Sequence, residues 1–194
     1  MKTIDCLAVD PGLSNTGLAR LRIDVDTGDI EIAGLRLISS APESKAKGVR
    51  VNSDDLRRAE ISASAIIEEM KDCHLLFAEI PSGAQNARAA TAFGICTGIL
   101  GTIRAMGRPI IEVMPSERGM AILGKKSVCK EEVIDFMTKR YPDAPWLRAR
   151  NNPTGKFIDK NEHIADAVAI GWAGVKTPQF KQALGLVRAM HIAK

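Results

Sequence analysis

The apolar segments of this chain follow one another in an order that few folds can accommodate. Three short apolar runs come first, separated by the turn sequences Asp10-Pro11-Gly12 and Asp26-Thr27-Gly28-Asp29, and are typical of strands joined by tight turns. Further along, helical patterns alternate with two more apolar runs. The predicted strands are 4–9, 17–23, 30–39, 75–80 and 109–113. The predicted helices are 54–71, 84–106, 116–123, 130–140, 161–174 and 178–191.

This order predicts an α/β protein. Strands joined by short turns pair antiparallel, whereas strands joined by a helix favour parallel pairing. We therefore expect a five-stranded mixed sheet, with three antiparallel strands followed by two parallel ones, flanked by helices. Residues 1–194 are predicted to form one domain with a C-terminal helix at about 178–191. The polar residues 41–53 are predicted to form an exposed loop, with Ser53 or Asp54 capping the first helix.

The composition argues against several classes of protein. The apolar content of 45% is ordinary for a globular chain, and no apolar run reaches the roughly 20 residues of a membrane span. The N-terminus reaches Asp5 too early for a signal peptide. The cysteines are too widely spaced to suggest a disulfide or a zinc site. We expect a cytoplasmic protein with reduced thiols, no membrane association and no organic cofactor.

Basic residues concentrate in one stretch, although the net charge of +4 is mild. Between positions 139 and 160, six basic residues stand against two acidic ones, Asp143 and Asp159. The basic residues are Lys139, Arg140, Arg148, Arg150, Lys156 and Lys160. A loop of this charge suits a phosphate backbone, and a solvated loop without a partner is the alternative.

Acidic residues interrupt apolar segments at three places. Asp10 follows the first strand, Glu79 lies near the end of the strand at 75–80, and Asp166 lies on an otherwise apolar helix. His163 precedes Asp166 by three residues and therefore shares its helix face. A carboxylate in such a run is costly to desolvate unless it is paired, hydrogen-bonded or bound to a metal. If the two strands are neighbours, Asp10 and Glu79 lie at the same edge of the sheet.

Together these residues predict a site for hard divalent cations. Carboxylates are the ligands that Mg²⁺ prefers, and two ions about 4 Å apart can promote phosphodiester hydrolysis. His163 offers an imidazole ligand or a proton carrier. Each residue also has an ordinary alternative: Asp10 as a turn residue, Glu79 as the partner of a core arginine, and His163 as a satisfied surface histidine.

Three motifs resemble those of the RuvC family of Holliday-junction resolvases. The segment Ala8–Gly17 (AVDPGLSNTG) resembles the first motif, a strand followed by D-P-G and a later T-G. Phe77-Ala78-Glu79 resembles the second motif. The segment His163–Ile170 (HIADAVAI) resembles the third, a helix with two metal-site residues three apart. Their order and spacing agree with the family across roughly residues 4–175.

The resemblance implies an RNase H-like fold, a homodimer, and paired nicks across a four-way DNA junction with Mg²⁺ or Mn²⁺, two ions per active site. Asp10, Glu79 and Asp166 match the family's metal-binding carboxylates, and His163 stands where members carry Asp or His. Lys130 matches a catalytically important lysine of the family, and its positive charge would stabilise the negative charge that develops on the scissile phosphate. The alternative is that Lys130 is an ordinary surface lysine. The residues expected to bind DNA are Arg118, Lys130, Arg148, Arg150 and Lys156.

The chain also departs from the family pattern. Members carry an aromatic residue shortly after the second-motif glutamate, whereas this chain reads Ile80-Pro81-Ser82-Gly83. Arg118 stands where the family often has a lysine, and the loop at 142–160 is longer than in typical bacterial members. Together with the resemblance, these departures suggest a phage-type member of the family, with a broader specificity for branched DNA. The departures leave the opening of the junction and any sequence preference undetermined.

Gly94, Gly98 and Gly101 lie on one predicted helix, where small residues permit close approach to a dimer partner or to the sheet. The family's dimer favours the first interpretation. Other functions remain open: cleavage of RNA–DNA hybrids, flaps or forks, and non-catalytic binding of branched DNA. The actin and sugar-kinase ATPases share an early D-x-G turn, but they need two such domains, for which 194 residues are too few.

Overall fold

The structure is a computed structural model that describes residues 3–43, 48–149 and 157–192. Its five strands form one sheet in the order β3-β2-β1-β4-β5. The strands are β1 (Thr3–Asp10), β2 (Asn15–Asp24), β3 (Ile30–Ser39), β4 (Leu75–Glu79) and β5 (Ile110–Val113). Strands β1, β2 and β3 pair antiparallel, and β4 pairs parallel with both β1 and β5. This is the mixed sheet that the sequence predicts.

Six helices flank the sheet in the described part of the chain. They are α1 (Val51–Glu69), α2 (Ala87–Ala105), α3 (Pro115–Leu123), α4 (Lys130–Arg140), α5 (Asn161–Gly174) and α6 (Pro178–Ile192). Every predicted helix is present, with its ends within about three residues of the predicted ones. None of these helices has the length and apolarity that crossing a membrane requires.

Both faces of the sheet are covered, which explains why β1 reads as a nearly continuous apolar run. Successive side chains of a strand point to opposite faces. Cys6 and Ala8 therefore join a core with α3, α4, α5 and α6, whereas Leu7 and Val9 join a core with α1 and α2. All four described cysteines are free, and Cys129 is the exposed one.

Helix α5 lies unusually close to the sheet because it presents glycine there. A Cβ added at Gly171 would lie 2.1 Å from Leu21 Cδ1, and one at Gly174 would lie 2.1 Å from Phe77 Cδ1. Real side chains do not approach so closely, so any larger residue would push the helix outward. These two glycines thereby let the C-terminal half of α5 lie directly on β1, β2 and β4.

The beginning of α1 corrects the prediction. The helix starts at Val51, so residues 51–53 are helical and not part of the loop, and Arg50 is the N-cap, without a side-chain bond. Asp54 accepts a bond from Arg57 inside the first turn instead of capping the helix. Leu56 belongs to the predicted apolar stripe, yet it is 71% exposed.

Polar side chains occupy the buried face of α1 near its start. For this reason the apolar pattern predicts the wrong start and the wrong buried residues for this helix. Arg58 is buried and donates to Ser40 O and Ser14 Oγ. Asp55, also buried, accepts two bonds from Arg88 of α2. Buried polar groups are stable when they are bonded in this way. This network joins α1 to the turn after β1 and to the start of α2.

Candidate active site

The parallel pairing of β1 and β4 brings two carboxylates to one edge of the sheet. Val9 stands opposite Ala78 in the register, and Asp10 and Glu79 are the next residues, at the ends of their strands. Their side chains are each 18% exposed. The condition on which the sequence argument rested, that the two strands are neighbours, is therefore met.

The turn after Asp10 is shaped so that α5 can dock against it. A Cβ at Gly12 would lie 2.3 Å from Asn15 O, so the turn accepts only glycine without rearrangement. Thr16 Oγ1 donates to Gly12 O at 2.9 Å and holds the turn closed. A Cβ at Gly17 would lie 1.9 Å from His163 O. The T-G of the first motif therefore lets the backbone at His163 rest directly on β2.

The first turn of α5 supplies two more polar groups. His163 Nδ1 lies 3.0 Å from Asp10 Oδ2 and donates to it when that nitrogen carries the proton. His163 Nε2 lies 3.2 Å from Glu162 Oε1. A ring that donates to both carboxylates is an imidazolium, and the hydrogen bond with Asp10 accordingly raises the pKa of His163.

Arg118 of α3 reaches into the middle of this group. Its Nη1 lies 2.7 Å from Asp166 Oδ1, and its Nε lies 3.7 Å from Glu79 Oε2. The guanidinium side chain is 15% exposed. Glu79 Oε2 and Arg118 Nε are both buried without a hydrogen-bond partner. Arg118 thus bonds to one carboxylate and faces a second one without bonding to it.

The carboxylates are held where their charged forms are unfavourable. The pKa of Glu79 is raised to about 7, mainly by burial and also by the nearby Asp10 and Asp166 carboxylates, and Arg118 opposes the shift. Burial also raises the pKa of Asp166 to about 6, again against the effect of Arg118. Perturbed carboxyl groups that share a small site are typical of functional centres.

Lys130 lies at the rim of the site and is held there by a residue that the sequence analysis missed. Its Nζ lies 2.9 Å from Glu162 Oε2, and the lysine side chain is 65% exposed. Glu162 therefore links Lys130 to His163, and through it to Asp10. The hydrogen bond to Glu162 raises the pKa of Lys130. The sequence did carry a signal for Glu162, since it is an acidic residue directly before the motif histidine, His163.

The residues expected to bind DNA lie in different places. Arg118 lies within the acidic cluster, and Lys130 lies at its rim. Arg148 stacks over the Phe157 ring at 4.4 Å, where the two residues form an isolated antiparallel bridge. Arg150 and Lys156 lie outside the described residues. Binding of DNA by all five stays a prediction.

The donor set fits a divalent cation. Asp10, Glu79 and Asp166 provide carboxylate oxygens, one of them a buried Glu79 oxygen without a partner, and His163 adds an imidazole. Within the described ranges, however, no three His, Cys, Asp or Glu side chains are already arranged around a common point. The reason is visible in the contacts, since Arg118 holds Asp166 and His163 holds Asp10.

A cleft of about 1000 Å³ opens beside the cluster and includes His163 in its wall. It lies between the turn after β1, the start of α1 and the start of α2. Its lining combines apolar residues such as Leu13 and Ala92 with Asn86 and the guanidinium groups of Arg58 and Arg88. The cleft gives a long ligand access to the edge of the sheet where the acids stand.

No protein-family profile matches the sequence, and no curated protein matches it either. Solved structures do match the fold. RuvC of Thermus thermophilus, in complex with a Holliday junction substrate, has a TM-score of 0.59 and 18% identity, over 88% of this chain and 92% of that one. The yeast mitochondrial Holliday junction resolvase Ydc2 has a TM-score of 0.55 and 11% identity, over 95% of this chain and 85% of that one.

A third structure, the fowlpox virus resolvase in complex with Holliday junction DNA, has a TM-score of 0.51 and 14% identity, over 87% of this chain and 94% of that one. Identities this low show the fold alone. The chain therefore shares the fold of these Holliday junction resolvases. The resemblance read from the three motifs is thereby confirmed at the level of the fold.

Proposed function

We propose that this protein is a divalent-metal-dependent endonuclease that cuts branched DNA, with four-way junctions as its main substrate. The observation that carries the proposal is the convergence of Asp10, Glu79 and Asp166, from three separate elements, beside His163. The three carboxylates match the metal-site positions of the sequence motifs, and they stand in the fold of proteins that were solved with Holliday junction DNA.

Each polar side chain has a distinct task in the proposed reaction. Asp10, Glu79, Asp166 and His163 would hold Mg²⁺ or Mn²⁺, in our proposal two ions, which when bound activate water and neutralise charge on a phosphodiester. When His163 Nδ1 carries the proton of its hydrogen bond to Asp10, that proton must leave before this nitrogen can act as a ligand. Lys130, exposed at the rim and paired with Glu162, would approach a phosphate oxygen on which charge develops.

The preference for branched DNA rests on two features. The cleft beside His163 has a volume of about 1000 Å³, and the related folds with bound substrate hold junction DNA. Residues 80–83 carry no aromatic side chain that could open a junction by stacking. We therefore propose that the enzyme also accepts forks and flaps.

We further propose that the enzyme is a homodimer that uses α2 as its interface. Gly94, Gly98 and Gly101 face away from the sheet, and nothing in the described chain comes within 4 Å of a Cβ placed at any of them. Packing against the sheet, the alternative for this glycine stripe, is carried instead by Cys96, Leu100 and Ile103. A two-fold dimer would present two sites to a symmetric junction.

Cleavage of labelled synthetic DNA tests the proposed activity. A four-way junction, a fork, a flap, a linear duplex and an RNA–DNA hybrid are each incubated with the protein in Mg²⁺, Mn²⁺ or EDTA. We expect metal-dependent nicks in the branched DNA substrates and none in EDTA. The Asp10→Asn protein should fold, bind the junction and fail to cut it.

Each other outcome contradicts part of the proposal. Cutting by Asp10→Asn at the normal rate would remove the assigned site. Preferential cutting of the hybrid would make the protein a ribonuclease of the same fold. Tight binding of branched DNA without cutting in either metal would leave a non-catalytic junction-binding protein.

A further inference from the structure

We propose that Arg118 is a built-in counter-cation of the carboxylate site, which competes with divalent metal for Asp166 and Glu79. The inference rests on the proposed function, because it concerns the same carboxylates. It adds a determinant of metal affinity that belongs to this chain. Arg118 was expected from the sequence only to contact DNA.

The guanidinium of Arg118 already supplies a positive charge at the carboxylate site. Its Nη1 bonds to Asp166 Oδ1 at 2.7 Å, a charge-assisted bond between two side chains that are 15% and 17% exposed. An oxygen held in this way has to exchange the guanidinium for the metal before it can serve as a ligand. Divalent metal binding to Asp166 therefore has a cost that a site without Arg118 would not have.

The contact of Arg118 with Glu79 extends the proposed competition to a second carboxylate. Arg118 Nε and Glu79 Oε2 face each other at 3.7 Å, both buried and both without a hydrogen-bond partner. The guanidinium is close enough to attract Glu79 but does not satisfy it. A small cation bound between Glu79 and Asp166 would satisfy the Glu79 oxygen. It would also replace the guanidinium of Arg118 as the positive charge that faces these two carboxylates.

The backbone that carries Arg118 is well anchored, whereas its long side chain can move. Arg118 N donates to Met114 O, and a Cβ at the next residue, Gly119, would lie 2.4 Å from Lys125 O. Helix α3 is thus packed closely against the turn that follows it. Guanidinium groups also bind phosphate in a bidentate manner. A displaced Arg118 would therefore have a DNA phosphate as its alternative partner.

Binding of Mn²⁺ in the absence of DNA tests this inference, with the free ion measured by electron paramagnetic resonance. We expect Arg118→Gln to bind Mn²⁺ about tenfold more tightly than the unmodified protein, a change of about 1.4 kcal/mol. Arg118→Lys, which keeps the charge, should remain close to the unmodified protein. Arg36→Gln is the matched control, because Arg36 also bridges two carboxylates, Glu68 and Glu69, and should leave the affinity unchanged.

Equal or weaker Mn²⁺ binding by Arg118→Gln would overturn the inference and leave the proposed metal site intact, provided that Asp10→Asn abolishes binding. Absence of Mn²⁺ binding in every variant would instead remove the metal site itself. A measurement on the unmodified protein covers the case in which Arg118→Gln does not fold. Titration with Mg²⁺ should shift the side-chain Nε–H resonance of Arg118, assigned by its loss in Arg118→Lys, and an unmoved resonance would count against the competition.

Discussion

Glu79 and Asp166 are partly removed from water and lie near a third carboxylate, Asp10. Burial opposes the ionised form of both groups, and the neighbouring negative charges oppose it further, so their pKa values rise to about 7 and about 6. Arg118 offsets part of this cost through its bond to Asp166. At neutral pH the metal-free site therefore holds charge at the expense of folding stability.

This strain predicts how the stability of the metal-free protein depends on pH. Both carboxyl groups bind a proton more tightly in the folded protein than in the unfolded chain, so their contribution is present at low pH and lost as the pH rises through about 6 to 7. The raised pKa of His163 acts in the same direction. In EDTA we expect Tm to fall by several degrees between pH 5 and pH 8, because about 1 kcal/mol shifts Tm by about 2–4 °C at this size.

Scanning calorimetry of Glu79→Gln provides the control for that pH dependence. Glutamine cannot ionise, so the fall in Tm between the two pH values should become smaller. Addition of Mg²⁺ at pH 8 should restore part of the Tm of the unmodified protein. An identical fall in both proteins would mean that Glu79 is not the source.

The pair of Lys130 and Glu162 predicts two effects of different size. Replacing Lys130 by alanine removes a donor for the charge that develops on the phosphate, and we expect kcat to fall about 100-fold. Replacing Glu162 by glutamine loosens a partly exposed ion pair, which is worth up to about 1 kcal/mol, so kcat should fall by up to about fivefold. Single-turnover cleavage of the junction measures both.

Lys139→Ala is the matched control for Lys130→Ala. Lys139 lies on the same helix and forms an exposed ion pair with Asp135, so its loss should leave kcat unchanged. If both lysine variants lost activity equally, the effect would come from the general charge of α4 and not from the position of Lys130.

The glycines of α5 and those of α2 lie on different kinds of surface: the first are packed within the chain, and the second face outward. The glycines of α5 and of β2 permit close contact within the chain, as Gly17 does against His163 O. Those of α2 meet nothing in the described chain. The hydroxyls of Thr91 and Thr102 are bonded to carbonyl oxygens of α2 itself, so these two groups are already satisfied within the helix. Helix α2 therefore has an outward face suited to another helix.

Substitution of Gly98 by arginine should separate dimerisation from folding. A side chain at this position has open space in the monomer, and arginine is a better helix former than glycine by up to about 1 kcal/mol. We expect Gly98→Arg to retain or raise Tm and to sediment as a monomer. Gly185→Arg, at an open helical glycine of α6, should remain a dimer. A dimeric Gly98→Arg protein would place the interface elsewhere.

At the scale of the whole molecule, the charge is distributed between an acidic centre and a basic stretch of sequence. The carboxylates occupy one edge of the sheet, whereas the net charge of the chain is +4. Metal in the centre and basic residues around it would together make that edge attractive to DNA. The basic stretch at 139–160 begins in the last turn of α4, the helix that carries Lys130 at its start.

The salt dependence of DNA binding tests the role of that stretch. Each phosphate that is neutralised changes the slope of log K against log salt concentration by about 0.9. Replacing Arg148, Arg150 and Lys156 by alanine should therefore reduce the magnitude of the slope by about two to three. A control triple substitution at Arg22, Lys71 and Arg104, near the opposite ends of the strands, should leave it unchanged. Equal slopes for all three proteins would exclude the basic stretch from the DNA interface.

The sequence alone determined the succession of strands and helices along the chain and the places of the three acids within them. Both follow from local rules: apolar runs and turn residues define the elements, and residues three apart on a helix share a face, which paired His163 with Asp166. The structure then makes β1 and β4 parallel neighbours, which is the condition under which Asp10 and Glu79 come together. The motif resemblance added the fold, which the related structures confirm.

Only the tertiary structure decided which partners those residues have. Arg118 meets Asp166 across the packing of α3 against α5, and Lys130 meets Glu162 across the packing of α4 against α5. The polar inner face of α1 likewise follows from the bonds of Arg58 to a distant turn, which left Leu56 exposed. Such contacts join residues far apart in the chain, and they depend on how closely whole elements approach. Periodicity describes one element at a time and therefore cannot determine them.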